Sequence, residues 1–248
     1  MIEISQISKK FFDGEKPVIA LQPTSLQIKE KEFVIVVGAN GSGKSTLLNI
    51  IAGTLLFDEG SIYVDGNDIS ALKEHERSRF IARVFQNPQS GTASDLTIIE
   101  NFRLATLRTQ SKNLKLGIDR KFIDSIRERV SWLNLGLEDR LNRKMGALSG
   151  GQRQALTVLM STMDDFKLLL MDEPTAALDP KSAELIMKLT TRILNQMQVS
   201  VLMVTHQTKQ VLDYGNRVIQ MASGQIIRDL DNVSKERLTL NEIVNWFD

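Results

Sequence analysis

The 248-residue chain has no cysteine. That excludes a disulfide framework and any cysteine-ligated metal site, and it agrees with a reducing cytosol. It also lacks an excess of one charge. Thirty-one Lys and Arg face 30 Asp and Glu, a formal net charge of +1. No strongly basic field is available to hold nucleic acid or an anionic membrane surface nonspecifically, so no nucleic-acid partner is expected. No run approaches the roughly 18 consecutive apolar residues of a membrane-spanning helix. The opening Met1-Ile2-Glu3-Ile4 alternates like a strand and does not read as a signal peptide. There is no low-complexity tract and no internal repeat. If the protein works at a membrane, another chain supplies the span. What remains is a length that suits one large α/β domain, or one domain with a helical insertion, with enough chain to bury a real core.

Residues 32–37 are apolar, β-branched and halted by Gly38, which predicts a buried strand entering a glycine loop. Residues 45–52 predict the helix behind that loop, with Gly53 as its stop. A strand and turn are expected at 61–66, and a strand at Arg83-Val84-Phe85. From 87 to about 147 the texture becomes helical, with helices expected at 98–107 and 118–133. In the second, Ile118, Phe122, Ile126 and Val130 recur every four residues and mark one apolar stripe. Helices follow at 152–163 and 182–196, and strands at 167–171 and 200–204. This alternation argues for a parallel core sheet. Residues 2–7, 27–28 and 61–65 suggest a flanking antiparallel sheet, and 217–228 a hairpin around Ser223-Gly224. The tail, 238–247, predicts one short helix, with no sizeable C-terminal regulatory domain after it.

Gly38-Ala39-Asn40-Gly41-Ser42-Gly43-Lys44-Ser45 fits G-x-x-x-x-G-K-[ST]. Its glycines let backbone N–H groups face inward and cradle phosphate oxygens, aided by the helix N-terminus behind them, Thr46 included. Lys44 is placed to reach the β- and γ-phosphates of ATP, and the Ser45 hydroxyl to ligate Mg²⁺. Asp172 follows four apolar residues and so belongs at the C-terminal end of a buried strand, where ligands gather in open α/β sheets. It suits Mg²⁺, which dehydrates reluctantly and takes few protein carboxylates. Glu173 is next and is the candidate general base for an attacking water.

Between these halves lies Leu148-Ser149-Gly150-Gly151-Gln152, which resembles the signature of ABC-type ATPases. The resemblance extends over nearly the whole chain. It implies a P-loop NTPase (RecA-like) core sheet with a flanking antiparallel β subdomain and an inserted α-helical signature subdomain. Residues 1–86 and 158–248 form the core and β subdomain, and 87–157 the helical subdomain. Gln86 matches the glutamine loop, which in the family touches Mg²⁺ and the water. Ser149, Gly150, Gly151 and Gln152 match the signature, whose serine and glycine amides bind the γ-phosphate held by the other subunit. Ala177-Leu178-Asp179 resembles the loop that crosses the dimer interface, and His206 matches the switch histidine. Phe11 and Phe12 are both candidates to stack on adenine, with Phe11 favoured by its Lys9-Lys10 context. The implied mechanism is a homodimer closing head to tail over two ATP.

The family offers three kinds of protein: importer subunit, exporter ATPase, or soluble non-transport ATPase. A second cassette, coiled-coil insertion or basic arm, usual in the third, is not present. Asn142-Arg143-Lys144-Met145-Gly146-Ala147 lacks the acidic-glycine pattern common in exporter cassettes. Arg83-Val84-Phe85-Gln86-Asn87-Pro88, Gly91-Thr92-Ala93, Gly136-Leu137-Glu138-Asp139-Arg140-Leu141 and the stretch from Gly150 through Thr157 look like one importer subfamily. Its members accompany permeases and substrate-binding lipoproteins, some for tryptophan or tyrosine. The resemblance implies peripheral attachment at the cytoplasmic face of the membrane. The integral-membrane permease would dock in a groove at residues 89–102, between Gln89 and Phe102.

Overall fold

The computed structural model describes residues 1–14, 16–107 and 117–247. In chain order its strands are β1 (Ile2–Asp13), β2 (Lys16–Ile28), β3 (Phe33–Val37), β4 (Glu59–Val64), β5 (Asn67–Asp68), β6 (Ile81–Val84), β7 (Leu168–Asp172), β8 (Ser200–Val204), β9 (Arg217–Ala222) and β10 (Gln225–Leu230). Its helices are α1 (Lys44–Ala52), α2 (Glu74–Arg77), α3 (Ile98–Thr106), α4 (Arg120–Ser131), α5 (Gly150–Ser161), α6 (Pro180–Met197), α7 (Thr208–Asp213), α8 (Asn232–Lys235) and α9 (Leu240–Val244).

All five residues of β3 and of β8 are buried, because a parallel sheet covered on both faces leaves no solvated side. The central sheet runs β10-β9-β3-β8-β7-β6. Strands β9, β3, β8, β7 and β6 are parallel, and β10 pairs antiparallel on β9. Side chains of β3 alternate between two cores. Val34 and Val36 join α1 and the second sheet, while Phe33, Ile35 and Val37 face the layer of α3 to α6. The second sheet, β2-β1-β4-β5, is antiparallel.

Register decides where the chemistry lies. Val84 pairs with Met171, Asp172 with Val204, and Val36 with Val204. The carboxyl ends of β3, β8, β7 and β6 therefore lie side by side, and the loops leaving them share one rim.

Two expectations need correction. The flanking strands are far longer than residues 2–7 and 27–28: they run to Asp13 and back from Lys16. Their polar outer halves form strand because the cross-strand ladder satisfies the backbone, not because they carry an apolar pattern. The short helix of the tail is narrower than 238–247. Thr239 caps a helix that ends at Val244, and Trp246 beyond it is buried against the core, with the Arg228 guanidinium 5.2 Å from its ring centre. Helix α4 keeps the expected stripe, with Ile126 and Val130 buried and Ile118 and Phe122 packed beside them.

Candidate active site

The loop after β3 turns on glycine. Gly38 has φ +145, and a Cβ there would lie 2.1 Å from the Met221 carbonyl oxygen. Gly43, the N-cap of α1, has φ +100, and its Cβ would meet the Ala20 oxygen at 2.7 Å. Both positions demand backbone that L side chains avoid, with no room for a side chain. The tip of the β9–β10 hairpin braces the loop, with the Gly224 N–H donating to the Ser42 oxygen. Lys44 is buried. Its Nζ donates to the carbonyls of Gly38 and Ala39, both at 2.8 Å, and to Ser42 Oγ at 3.3 Å. Burial lowers its pKa from the usual lysine value, opposed by Glu173 and Asp172.

Asp172 ends β7. Burial raises its pKa, opposed chiefly by Arg83, with Glu173 adding to the rise. The nearby Ser45 hydroxyl also works against the rise. One hydroxyl and one carboxylate, both hard oxygen donors, fit Mg²⁺. Arg83 lies 4.0 Å from Asp172 Oδ2 and donates to Asn49 Oδ1 at 2.7 Å.

Glu173 departs from strand geometry. Its φ of +46 is left-handed, and its N–H donates to the Val204 oxygen at 3.0 Å. A non-glycine residue held there stores strain of about 1–3 kcal/mol. The turn brings the carboxylate between two partners. Oε1 lies 3.0 Å from His206 Nε2, and Oε2 lies 3.4 Å from Gln86 Nε2. His206 follows β8, and its ring meets Phe247 at 5.6 Å. A buried network holds the two loops together: Gln210 accepts from Thr205 Oγ1 and donates to Thr175 Oγ1.

A cleft of about 290 Å³ joins these parts, lined by Asn40 to Thr46, Glu173 and His206, and also by Val18, Ile19 and Ala20. A larger cavity of about 520 Å³ beside Leu178, Met187 and Tyr214 contains none of residues 38–46.

A family model described as ABC transporter matches residues 21–176. The chain belongs to this family. It is 39% identical over 250 residues to the tyrosine transport ATP-binding protein of Clostridioides difficile (strain R20291), covering 100% of this chain and 99% of that protein. It is 31% identical over 248 residues to the macrolide export ATP-binding/permease protein MacB of Vibrio parahaemolyticus serotype O3:K6 (strain RIMD 2210633), covering 98% of this chain and 35% of that one. The dimeric post-hydrolysis structure of the ATP-binding cassette MJ0796 bound to ADP and Pi is 30% identical, with a TM-score of 0.81, covering 94% of this chain and 99% of that one. The protein is thus an ATP-binding ABC transporter ATPase subunit with the P-loop NTPase fold.

The residues expected to form the signature, 149–152, begin α5. Ser149 and Gln152 form a reciprocal capping box, and Gly150 and Gly151 open the helix. A Cβ on Gly151 would lie 2.3 Å from Ser182 Oγ, so only glycine lets α5 approach α6 there. Asp179 caps α6 through the N–H groups of Lys181 and Ser182. None of residues 149–152 lines the cleft that holds Lys44 and Glu173.

Phe11 lies opposite Val18 and is 43% exposed, Phe12 lies opposite Pro17 and is 74% exposed, and neither ring lines the cleft that Val18 and Ile19 line. A cleft of about 460 Å³ between α3 and α5 is lined by Phe85, Gly91, Ala93, Asn101, Leu104 and Thr157 among others; it overlaps the 89–102 stretch, but neither Gln89 nor Phe102 lines it. Asn101 pins its floor by bonding both the N–H and the carbonyl of Ala93. Sequence reasoning missed Val18, Ile19 and Arg83. Val18 had a signal, since strand pairing with Phe11 brings it to the same face; Arg83 had none.

Proposed function

We propose that this chain is the ATP-hydrolysing subunit of an importer, and that the imported substrate is an aromatic amino acid. The observation that carries the transport reading is end-to-end similarity, at 39% identity, to a tyrosine transport ATP-binding protein. What carries the chemical reading is the Glu173 carboxylate, set between His206 and Gln86 at the rim that also holds Lys44.

Glu173 is the general base for water, and Gln86 and His206 orient the water and the γ-phosphate. Lys44 and the amides of Gly38, Asn40, Gly41, Ser42, Gly43, Ser45 and Thr46 hold the phosphates, exchanging the loop's own carbonyls for phosphate oxygens at Lys44. Ser45, Asp172 and Gln86 would hold Mg²⁺, which when bound would neutralise phosphate charge. Phe11 stacks on adenine; having no hydroxyl, it discriminates among bases weakly.

Two copies close head to tail, so that Ser149, Gly150, Gly151 and Gln152 of one complete the site of the other, with Asp179 at the crossing. The helical subdomain, 87–157, moves as the dimer closes. The groove around Asn101 takes a permease segment, and a binding lipoprotein delivers the substrate outside. The subunit then sits at the cytoplasmic face of the membrane, held by the permease. Similarity to MacB favours a second reading, an exporter ATPase, at lower identity.

Tagged Glu173→Gln, purified from native membranes with ATP, tests both readings. It is expected to form an ATP-bound dimer by gel filtration and to lose about 10²-fold or more in steady-state turnover. It should bring down a permease and a lipoprotein that binds tyrosine or tryptophan. Normal turnover sinks the base assignment. Recovery of an exporter's membrane domain, or of soluble partners alone, sinks the importer.

A further inference from the structure

Gln154 lies in the second turn of α5 and is fully buried. Its Nε2 has two N–H groups, and each finds a carbonyl: Phe85 at 3.0 Å and Pro174 at 3.0 Å. The first carbonyl belongs to the peptide that leads into Gln86. The second belongs to the residue after Glu173. Its Oε1 is buried and meets no donor among the described residues. Burying half an amide unmet costs about 1–3 kcal/mol, so the position is not a generic polar filler; its value lies in the two donated bonds. No other uncharged side chain of this length donates twice from one atom. Glutamate would set a carboxylate against two carbonyl oxygens, and methionine fills the space without donating.

We propose that Gln154 is a positioning residue that ties the signature helix to Gln86 and Glu173. The proposal rests on the reading above, in which those two residues act on the water and the start of α5 meets the partner's ATP. One rigid helix then carries the signature at its first turn and, at its second, the clamp on both reacting loops. Closure of the dimer on Ser149 and Gly151 is passed through α5 to the pair Gln86 and Glu173, whose side chains are 3.4 Å apart. Alignment of a base with its water is sensitive to small shifts, since a displacement of about 1 Å can cost ~10²-fold in rate. Loss of the clamp should therefore act on kcat and spare ATP binding.

The test compares Gln154→Met, Gln154→Asn and Glu173→Gln in the full chain, measuring ATP turnover, ATP affinity and thermal midpoint. Gln154→Met is expected to lower kcat by at least ~10-fold, with KM and ATP affinity within about 2-fold of wild type. Adding it to Glu173→Gln should cause no further loss and should leave the ATP-bound dimer intact. Gln154→Asn keeps the donor but is one methylene short, so it should lose less in kcat and still fold if the methionine variant does not. Wild-type kcat in the methionine variant, or in the asparagine variant where the methionine variant does not fold, overturns the positioning role alone, provided Glu173→Gln is inactive. A rise in KM matching the fall in kcat/KM also overturns it, because the clamp would then be merely structural. Normal turnover of Glu173→Gln would instead remove the reading on which the proposal stands.

Discussion

Arg77 shows what one residue does far from the phosphates. Its guanidinium is fully buried and donates to four carbonyls: Ile50 at 2.6 Å, Ile51 at 3.1 Å, Ser70 at 2.8 Å and Leu72 at 3.0 Å. The first two lie in the last turn of α1, whose carbonyls have no partner within the helix. A cation there also complements the negative end of the helix that begins at Lys44. Arg77→Met would take the donor from the Ile51, Ser70 and Leu72 carbonyls, while Ile50 keeps the Gly53 N–H at 3.1 Å. The expected cost is about 3 kcal/mol, after allowing for the relieved burial of the charge. For a chain of this size that lowers the thermal midpoint by roughly 6–12 °C, measurable by calorimetry. An unchanged midpoint would refute the capping role. Arg77 was not legible in the sequence, because its partners at Ile50 and Ile51 lie 27 and 26 residues away and no pattern marks them. Gln154 is the same case, 69 residues from Phe85. By contrast, Lys44, Asp172 and Glu173 were legible. Glycine spacing and an apolar run followed by acids are local patterns that the backbone physics of phosphate binding requires.

Among the elements, α3 depends on its first turn. Thr97 and Glu100 cap one another: the Glu100 N–H donates to Thr97 Oγ1, and Glu100 Oε2 accepts from the Thr97 N–H at 2.7 Å and from its hydroxyl at 2.6 Å. Asn101, one residue on, holds the groove floor. Thr97→Ala should destabilise the domain by about 1 kcal/mol. It should also speed amide exchange at the start of α3 and weaken permease association more than ATP turnover. Equal losses in both would argue against a groove role. The Glu100 pKa is lowered, first by the Thr97 hydroxyl and then by its N–H. Its contribution is present above the unfolded carboxylate pKa and is lost as pH falls through the lower folded value. At this scale sequence patterns served the central sheet well, since burial on both faces leaves unbroken apolar runs. They served the flanking sheet poorly. Beyond Ile7, β1 is held by pairing with β2 and includes Lys9, Lys10 and the exposed Phe12, so no alternation reveals it.

At the scale of the whole molecule, the decisive question is whether one chain holds a complete site. The cleft that contains Lys44, Ser45, Glu173 and His206 includes no residue of the signature. Ser149 caps a different helix, whose N-terminus would meet a phosphate only if a second copy supplied one. The similar MJ0796 cassette is dimeric in its ADP- and Pi-bound structure. A mixing experiment separates action between chains from action within one. Lys44→Ala removes the phosphate-loop half, and Ser149→Arg removes the signature half, so each variant alone should be inactive. In a mixed dimer, the intact phosphate loop of the Ser149→Arg chain faces the intact signature of the Lys44→Ala chain, while the other site is doubly impaired. Random assortment makes half the dimers mixed, each with one working site. An equimolar mixture should therefore recover up to about a quarter of wild-type turnover. If both halves of the site came from the same chain, mixing would restore nothing, because every chain in the mixture carries a lesion.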